Sequence, residues 1–423
     1  MRKIFVISWF YPPINSSEGL VTFKHLKNSK YNYVVYTQKN NTSWSYGNKE
    51  DGLKSSNIKC EYSHAETFDG WLDEGLKYFI KHENEFDIIM SRSMPPESHI
   101  LAQNIKNLYP DKLWIASFGD PIAKNPISLA QRSLNSPYKW NPWEMTIRNL
   151  IWFISPKRFL GAIMWWYNTS RPVLEMKHQE DLLEYKTIKN ANFVICNSEE
   201  ERDYMFTGRQ EKFKSKAVII PHSYDKTFYP NVHASQKKTV LTFLGHLDTV
   251  RTPKYLFEAL VLLKKRHKDL DKKLQIEFYG NMSDQDRLFI FDNNLIDMVS
   301  LKGRTDYLLS MRIIKSSNWL LHIDPKLNDI LENNIFFAAK IADYMGSRNN
   351  IFAITMSSGV SANILRNYGA IVCSHSVEEI ANFLYLITYK GLKCQVNERY
   401  TRTFEASVVS KYFDSFLTQV ARI

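Results

Sequence analysis

The chain has 423 residues, 44% of them hydrophobic and 23% charged, which is enough for two or three cored domains and marks a globular protein. No run of eighteen apolar residues occurs, which argues against a transmembrane helix, and Cys60, Cys196, Cys373 and Cys394 lack any CxxC or Cys/His spacing, which argues against a disulfide framework and a structural zinc. A formal charge of +11 favours phosphate-bearing partners, whether nucleic acid, a nucleotide ligand or an anionic leaflet, without choosing among them.

The N-terminal MRKIFVISWFYPP starts basic, but its apolar run is too short for a signal peptide and ends in a double proline. It reads as a first strand, Lys3–Trp9, of a protein expected in the cytoplasm. PPINSSEGL is loop chemistry before a helix expected to begin near Leu20. Strand, small-residue loop and helix N-terminus can hold a phosphate, although Glu18 would repel one. Strands are expected at Tyr33–Thr37, Asp87–Met90 and Leu113–Phe118, helices at Trp71–Lys81 and Ser98–Leu108, and a surface loop over Lys39–Lys54. Strands alternating with helices imply an α/β architecture whose parallel sheet binds ligands beyond its carboxyl ends, where Asp120 falls.

From about Ile122 to Thr187 the rhythm breaks. Trp140, Trp143, Trp152, Trp165 and Trp166 stand among Arg148, Lys157 and Arg158. Tryptophan beside Lys/Arg in apolar stretches too short to span suits a peripheral contact with the inner membrane; helices that cover the sheet or line an acceptor cleft would read the same way. Ala191–Cys196 restores a strand, Ser198 is an N-cap for an acidic first turn at Glu199–Glu201, Ala217–Ile220 is a further strand, and Asn231–Lys238 is the best linker. The second half repeats the theme: strands at Val240–Leu244, Gln275–Tyr279, Met298–Leu301, Trp319–Ile323 and Ala370–Cys373, and helices at Tyr255 to Lys268 and Val377–Leu386. In Ile335–Thr355 an apolar helix is expected to stop at Gly346 before a strand at Ile351–Thr355, with Lys340 and Asp343 spaced as an i,i+3 pair. Ala406–Val420 reads as an amphipathic helix with Val408, Val409, Phe413, Phe416 and Leu417 on its apolar face. The expected domains are 1–230, 231–405 and a terminal helix, 406–423, that packs back on the first domain.

These pieces, FYPPINSSEG, SMPPESH, WIASFGDP, ANFVICNSEEERDYM, IIPHSYD, FLGHLDTVRTPKYLFEAL and AAKIADYMGSRNNIFAIT, resemble in order and spacing the nucleotide-sugar glycosyltransferases of the GT-B architecture, and within them family 4, of the kind that builds bacterial surface polysaccharides. The resemblance implies two Rossmann-like domains facing a cleft. It also implies transfer of a sugar from a nucleotide-sugar donor to a glycan or lipid-linked saccharide, with retention of configuration, with no metal and no cofactor beyond the donor. A leaving nucleoside diphosphate needs fixed cations and backbone N–H groups.

In the family a Gly-Arg pair follows the second domain's first strand, with a Lys five positions beyond the Arg. Here Gly245 is followed by His246, and Arg251 takes the Lys position, able to hold a phosphate bidentately. His246 would make its half of the cation pair pH-dependent. Of the family's two glutamates, the second matches Asp343, a ribose acceptor, and the first falls on Ile335; Lys340 matches a lysine of one motif variant. Gly280 and Arg304 match positions flanking the base and diphosphate, and Ser17 and Gly19 match the loop approaching the leaving phosphate. Asp120, in FGDP, is the catalytic candidate, and a cap on the turn before Pro121 is an equal reading. Asp269-Leu270-Asp271 and Asp284-Gln285-Asp286 have the DxD form of metal-dependent transferases but read as solvated helix ends. Two other functions fit the same residues: a catalytically inactive sugar-nucleotide or glycan-binding subunit, and a nucleotide-sugar epimerase. Nucleic-acid binding is disfavoured because the basic residues are dispersed.

Overall fold

Alternate residues of the strand runs are apolar on both sides, so each sheet must be covered on two faces, which is the condition for all-parallel sheets flanked by helices. The computed structural model describes residues 3–14, 16–39, 53–135, 171–232 and 238–421. In the first sheet β1 (Lys3–Ile7) lies between β2 (Tyr33–Gln38) and β4 (Phe86–Arg92). Beyond β2 is β3 (Ile58–Ser63), and beyond β4 are β5 (Leu113–Ser117), β6 (Phe193–Cys196) and β7 (Ala217–Ile219). In the second, β8 (Thr239–Leu244) lies between β9 (Leu274–Tyr279) and β11 (Trp319–Ile323), with β10 (Val299–Gly303) outside β9, and β12 (Asn350–Ile354) and β13 (Ile371–Cys373) outside β11. Every pairing of these strands is parallel. The two Rossmann-like units expected from the sequence are thus present.

The first unit carries α1 (Ser17–Lys27), α2 (Phe68–Lys81), α3 (Glu97–Leu108), α4 (Pro126–Asn135), α5 (Arg171–Asn190) and α6 (Glu199–Met205). The second carries α7 (Lys254–Arg266), α8 (Leu270–Lys273), α9 (Asp284–Asp292), α10 (Tyr307–Ser316), α11 (Ala339–Ser347), α12 (Val360–Tyr368) and α13 (Val377–Tyr389). Period-two alternation divides β1 cleanly: Phe5 and Ile7 pack with Trp71, Phe79 and Trp114 on one face, and Ile4 and Val6 with α1 on the other. The second cluster does not stop at the first unit but runs through Leu244, Ile341 and Tyr344 of the second.

After α14 (Glu398–Arg402), the last helix, α15 (Ala406–Val420), returns to α1. Its Asp414 accepts from the Lys30 N–H at 2.9 Å and from the Ser29 hydroxyl, and Ser410 donates to the His25 carbonyl at 3.1 Å. Phe416 meets Phe193 edge-on at 5.3 Å. Val408, expected on the apolar face, is instead 44% exposed, because at this helix's pitch Ala406, Val409, Phe413, Phe416, Leu417 and Val420 face inward.

Two expectations for the Ile335–Thr355 stretch are corrected. The helix begins at Ala339, since Asn334 holds the preceding residues extended: its side chain accepts from the Phe336 N–H at 2.9 Å and its carbonyl from the Val360 N–H at 2.8 Å. The helix passes Gly346 and ends at Arg348, a left-handed C-cap with φ 66°. The Lys340–Asp343 pair does not form; the two side chains have different partners, described below. The helix after β1 starts at Ser17, one turn earlier than expected. β3, α4, α10 and α12 carry no clear signal in the sequence; β3 is an edge strand whose IKCEYS puts Lys59 outward and breaks the apolar run. The aromatic and basic segment holding Trp140, Trp143, Arg148, Trp152, Lys157, Arg158, Trp165 and Trp166, most of the Lys39–Lys54 loop and most of the Asn231–Lys238 linker lie outside the described residues. No described helix is long and apolar enough to cross a membrane.

Asp414 is the acceptor on which the return of α15 depends. Replacing it with alanine leaves the Ser29 hydroxyl and Lys30 N–H without that partner, an expected loss of about 1–3 kcal/mol. Urea unfolding of the Asp414→Ala variant should show an earlier midpoint, and an unchanged midpoint would show that the helix is held by its apolar face alone.

Candidate functional site

In parallel sheets the loops at the carboxyl ends converge where the strand order reverses, here between β1 and β4 and between β8 and β11. The two reversal points face one cavity of about 530 Å³ between the units. Of the residues singled out from sequence, Ser17, Asp120, Gly245, His246, Arg251, Gly280, Arg304, Lys340 and Asp343 all line it. Gly19 does not; a Cβ there would come within 2.9 Å of the Tyr11 Cα, so this glycine lets α1 press against the loop after β1. Ile335 lies in an apolar cluster with Ala130, Val250, Leu331 and Phe336, and its carbonyl faces the Ser198 hydroxyl at 3.4 Å.

The second unit supplies the cations. Gly245 and Gly280 end β8 and β9 with φ of 137° and 143°, and a Cβ on Gly280 would fall 1.8 Å from the Gly245 carbonyl oxygen, so two loops cross where no side chain fits. The opening lets Lys340, from the first turn of α11, reach the Leu244 carbonyl at 3.1 Å and lie 4.2 Å over the Phe243 ring. Burial, and next the charge of Arg251, hold its ammonium well below the usual lysine range. Arg251 sits on a turn closed by Asp248, whose carboxylate accepts from the Val250 and Arg251 N–H groups at 2.8 and 2.7 Å. Its side-chain Nε is buried and has no hydrogen-bond partner among the described residues. Neither Arg251 nor Lys340 bridges a carboxylate among those residues. His246 is pushed below its ordinary value by partial burial and by Arg251, Arg304 and Lys340, against the pull of Asp248. The N-terminus of α11 opens onto the same space through Ala338, Ala339 and Lys340. An unpartnered guanidinium nitrogen, a helix N-terminus and loops bare of side chains are features that suit an anion.

Asp343 is buried one turn further along α11. It takes Lys24 of α1 at 3.0 Å and the Tyr307 hydroxyl at 3.1 Å, both on one oxygen. Its other oxygen makes no hydrogen bond among the described residues. Burial raises its pKa and Lys24 opposes the rise. Asp324, which follows β11 and was not singled out from sequence, also lines the cavity. It is met by His322 at 2.8 Å, Thr355 at 2.8 Å and Asn334 at 2.9 Å. Burial alone would raise its pKa, but His322, then Arg251 and the Ser361 hydroxyl, overcome it and keep the carboxylate ionised. It gives the cation cluster one fixed counter-charge. Its only sequence signal is an aspartate at the end of a central apolar strand.

The first unit supplies carboxylates. Asp120 follows β5, and the turn behind it is anchored elsewhere: the Ile122 and Ala123 N–H groups both donate to Glu184 of α5 at 2.8 Å, and the Asn197 side-chain amide donates to the Gly119 carbonyl at 2.7 Å. Asp120 therefore caps no turn, and its side chain has no hydrogen-bond partner among the described residues. Its pKa is pushed up to about 7, first by burial and then by Glu18, with Arg92 and Arg251 pulling down. Glu18, read from sequence as repelling an anion, is neutralised by Arg92 at 2.9 Å and lies over the bare Cα of Gly119. His222 completes this wall; the residue is 4% exposed, its ring 5.2 Å from that of Phe337, and its buried Nδ1 has no hydrogen-bond partner among the described residues. Asp269 and Asp271 flank and enter the short α8, Asp284 and Asp286 start α9, and none of the four lines the cavity.

No protein-family model and no curated protein matches the sequence. Solved structures do match over its whole length. Sucrose-phosphate synthase from Thermosynechococcus elongatus aligns over 100% of both chains at TM-score 0.65 and 11% identity. An α,α-trehalose-phosphate synthase (UDP-forming) from Burkholderia vietnamiensis aligns over 99% of this chain and 100% of its own at 0.61 and 10%. A UDP-N-acetylglucosamine 2-epimerase from Listeria monocytogenes, described as putative, aligns over 99% and 96% at 0.54 and 9%. At these identities the likeness is one of fold, and the fold is GT-B.

Two sites test the geometry. Lys24→Met leaves Asp343 buried without its cation, an expected cost of about 3–5 kcal/mol, whereas Lys24→Met combined with Asp343→Leu should recover most of it. Equal losses in the single and double variants, measured by urea unfolding, would contradict the pairing. Gly280→Ala should lower Tm and weaken anion binding together, because the methyl group strikes the Gly245 carbonyl; a variant with wild-type Tm would contradict the crossing.

Proposed function

We propose that the protein is a glycosyltransferase that moves a sugar from a nucleotide-sugar donor to a glycan or lipid-linked saccharide. The observation that carries this is Arg251, whose buried Nε has no partner among the described residues, beside Lys340, which bridges no carboxylate among them, at the mouth of a helix N-terminus. In this reading the diphosphate occupies that corner and the free oxygen of Asp343 accepts the ribose hydroxyls. As the glycosidic bond to the diphosphate breaks, negative charge grows on the leaving oxygen. Donors already fixed around it stabilise the transition state without reorganising. The transferred sugar then faces Asp120, whose ionised carboxylate opposes the positive charge of an oxocarbenium-like ring. Retention of configuration and independence from a metal follow the sequence resemblance. The neighbours add support at the level of fold, since one of them is named as UDP-forming.

The test begins with a thermal-shift and calorimetric panel of uridine, guanosine, cytidine and adenosine diphosphates. One should bind, and Arg251→Ala should cost about 1.5–3 kcal/mol of that affinity, roughly tenfold to a hundredfold. Absence of binding by all four, or full affinity in Arg251→Ala, would sink the reading. Conversion of the donor to an isomer with no acceptor present would favour an epimerase instead.

Two pH effects follow. Asp120 acts when ionised, so turnover should rise through about pH 7, and Asp120→Asn should lower kcat by about 10²–10⁴-fold while sparing nucleotide affinity. His246 is neutral in the ligand-free protein because its pKa is depressed, and a bound dianion reverses the cause. Nucleoside diphosphate binding should therefore take up a proton and tighten as pH falls below 7, and calorimetry in buffers of different ionisation enthalpy should lose this uptake in His246→Ala.

A further inference from the structure

An acid beside an anion site repels the anion, so Asp324 at this corner calls for a role that acts on a cation. The strand register supplies one. β8 and β11 pair in parallel with Thr242 opposite Leu320, and the same register continued two residues on sets Leu244 beside His322. The Lys340 ammonium lies at the Leu244 carbonyl, 3.1 Å away, and Asp324 leaves β11 two residues past His322. Both residues line the cavity and they form no ion pair with each other, so the interaction between them acts through space.

Asp324 is rigid. One carboxylate oxygen takes His322 Nε2 at 2.8 Å, and the other takes the Thr355 hydroxyl at 2.8 Å and the Asn334 amide at 2.9 Å. Burial keeps His322 neutral against the pull of Asp324, so this cluster carries a full negative charge. The other titratable groups around Lys340 do not supply one. Arg251 and Arg304 are cations, His246 is held neutral, and Asp343, on the same helix, is matched by Lys24 at 3.0 Å. Burial and Arg251 work against a proton on Lys340, and Asp324 works for it.

We infer that Asp324 is a positioning residue of the diphosphate site, a fixed counter-charge that acts through space on Lys340 so that its amine meets the diphosphate as a cation. The inference rests on the nucleotide-sugar reading for its ligand, whereas the coupling of Asp324 to Lys340 stands apart from it.

The test uses Asp324→Asn, which removes the charge and keeps the hydrogen bonds: the amide oxygen accepts from Thr355 and Asn334, and the amide nitrogen donates to His322 Nε2 in its other tautomer. Two measurements on the full chain follow. In protein carrying 13C at the lysine ε carbons, the Lys340 resonance, assigned by its loss in Lys340→Arg, should titrate at a pH lower by about one in Asp324→Asn than in wild type. Calorimetry with the nucleoside diphosphate of highest affinity should find the affinity of Asp324→Asn, relative to wild type, falling about tenfold from about pH 6 to about pH 9.5. The proton on His246 is common to both proteins and drops out of this ratio. With Lys340→Met added to both, the ratio should become independent of pH. An unmoved Lys340 titration, a ratio that does not change with pH, or one that still falls in the Lys340→Met background would overturn the inference. A lowered Tm with an equal loss of affinity at every pH would make Asp324 a structural brace and overturn it as well. If no nucleoside diphosphate binds, the reading beneath fails, and the lysine titration alone decides whether Asp324 holds the charge of Lys340.

Discussion

A charge taken out of water must be met, and around this cavity nearly every one is met by the protein itself. Lys24 meets Asp343, Arg92 meets Glu18, and Asp324 is met by His322, Thr355 and Asn334. The first of these pairs joins the units: α1 of the first sheet reaches α11 of the second through a buried bridge that neither can lose alone without stranding a charge. What remains is then informative. Among the described residues Arg251 and Lys340 bridge no carboxylate, an arrangement that suits a ligand bringing the counter-charge.

Local geometry explains why these two cations can be left over. Gly245 and Gly280 cross at a distance that forbids any side chain, which opens the corner that Lys340 enters, and Asp248 folds the turn that carries Arg251. Lys340 is fixed by the Leu244 carbonyl and the Phe243 ring, and Arg251 by the turn that Asp248 closes. The first unit answers with the opposite sign, Asp120 held by an anchored turn and Glu18 balanced by Arg92. The cavity therefore has a cationic side suited to a leaving diphosphate and an acidic side suited to a reacting sugar, consistent with the transfer proposed.

The sequence carried the sheet plan and most of the cavity residues, because strand runs and the loops after them are local signals. Lys340 and Asp343 were legible as a pair through their spacing on one helix, and Arg251 and the roles of all three only through the resemblance to the family's motifs. Their partners were not. Lys24 and Asp343 stand 319 positions apart, Arg92 and Glu18 74 apart, and nothing in either neighbourhood announces the other. That is why Lys340 and Asp343 looked like a surface pair, and why Glu18 looked like an obstacle to an anion. Ile335 looked like a lost acid, whereas the helix starts four residues later and that position belongs to an apolar contact between the units. Asp324 was hard to see for a related reason: a single polar residue after a strand gains meaning only when the opposite sheet is in place.

The most direct measurement is a crystal structure of the protein with the nucleoside diphosphate it binds most tightly. The account predicts the terminal phosphate in hydrogen-bond contact with Arg251 Nε, close to Lys340 and the first N–H groups of α11, with the ribose on Asp343. A nucleotide bound elsewhere, with Arg251 Nε still unpartnered, would contradict it.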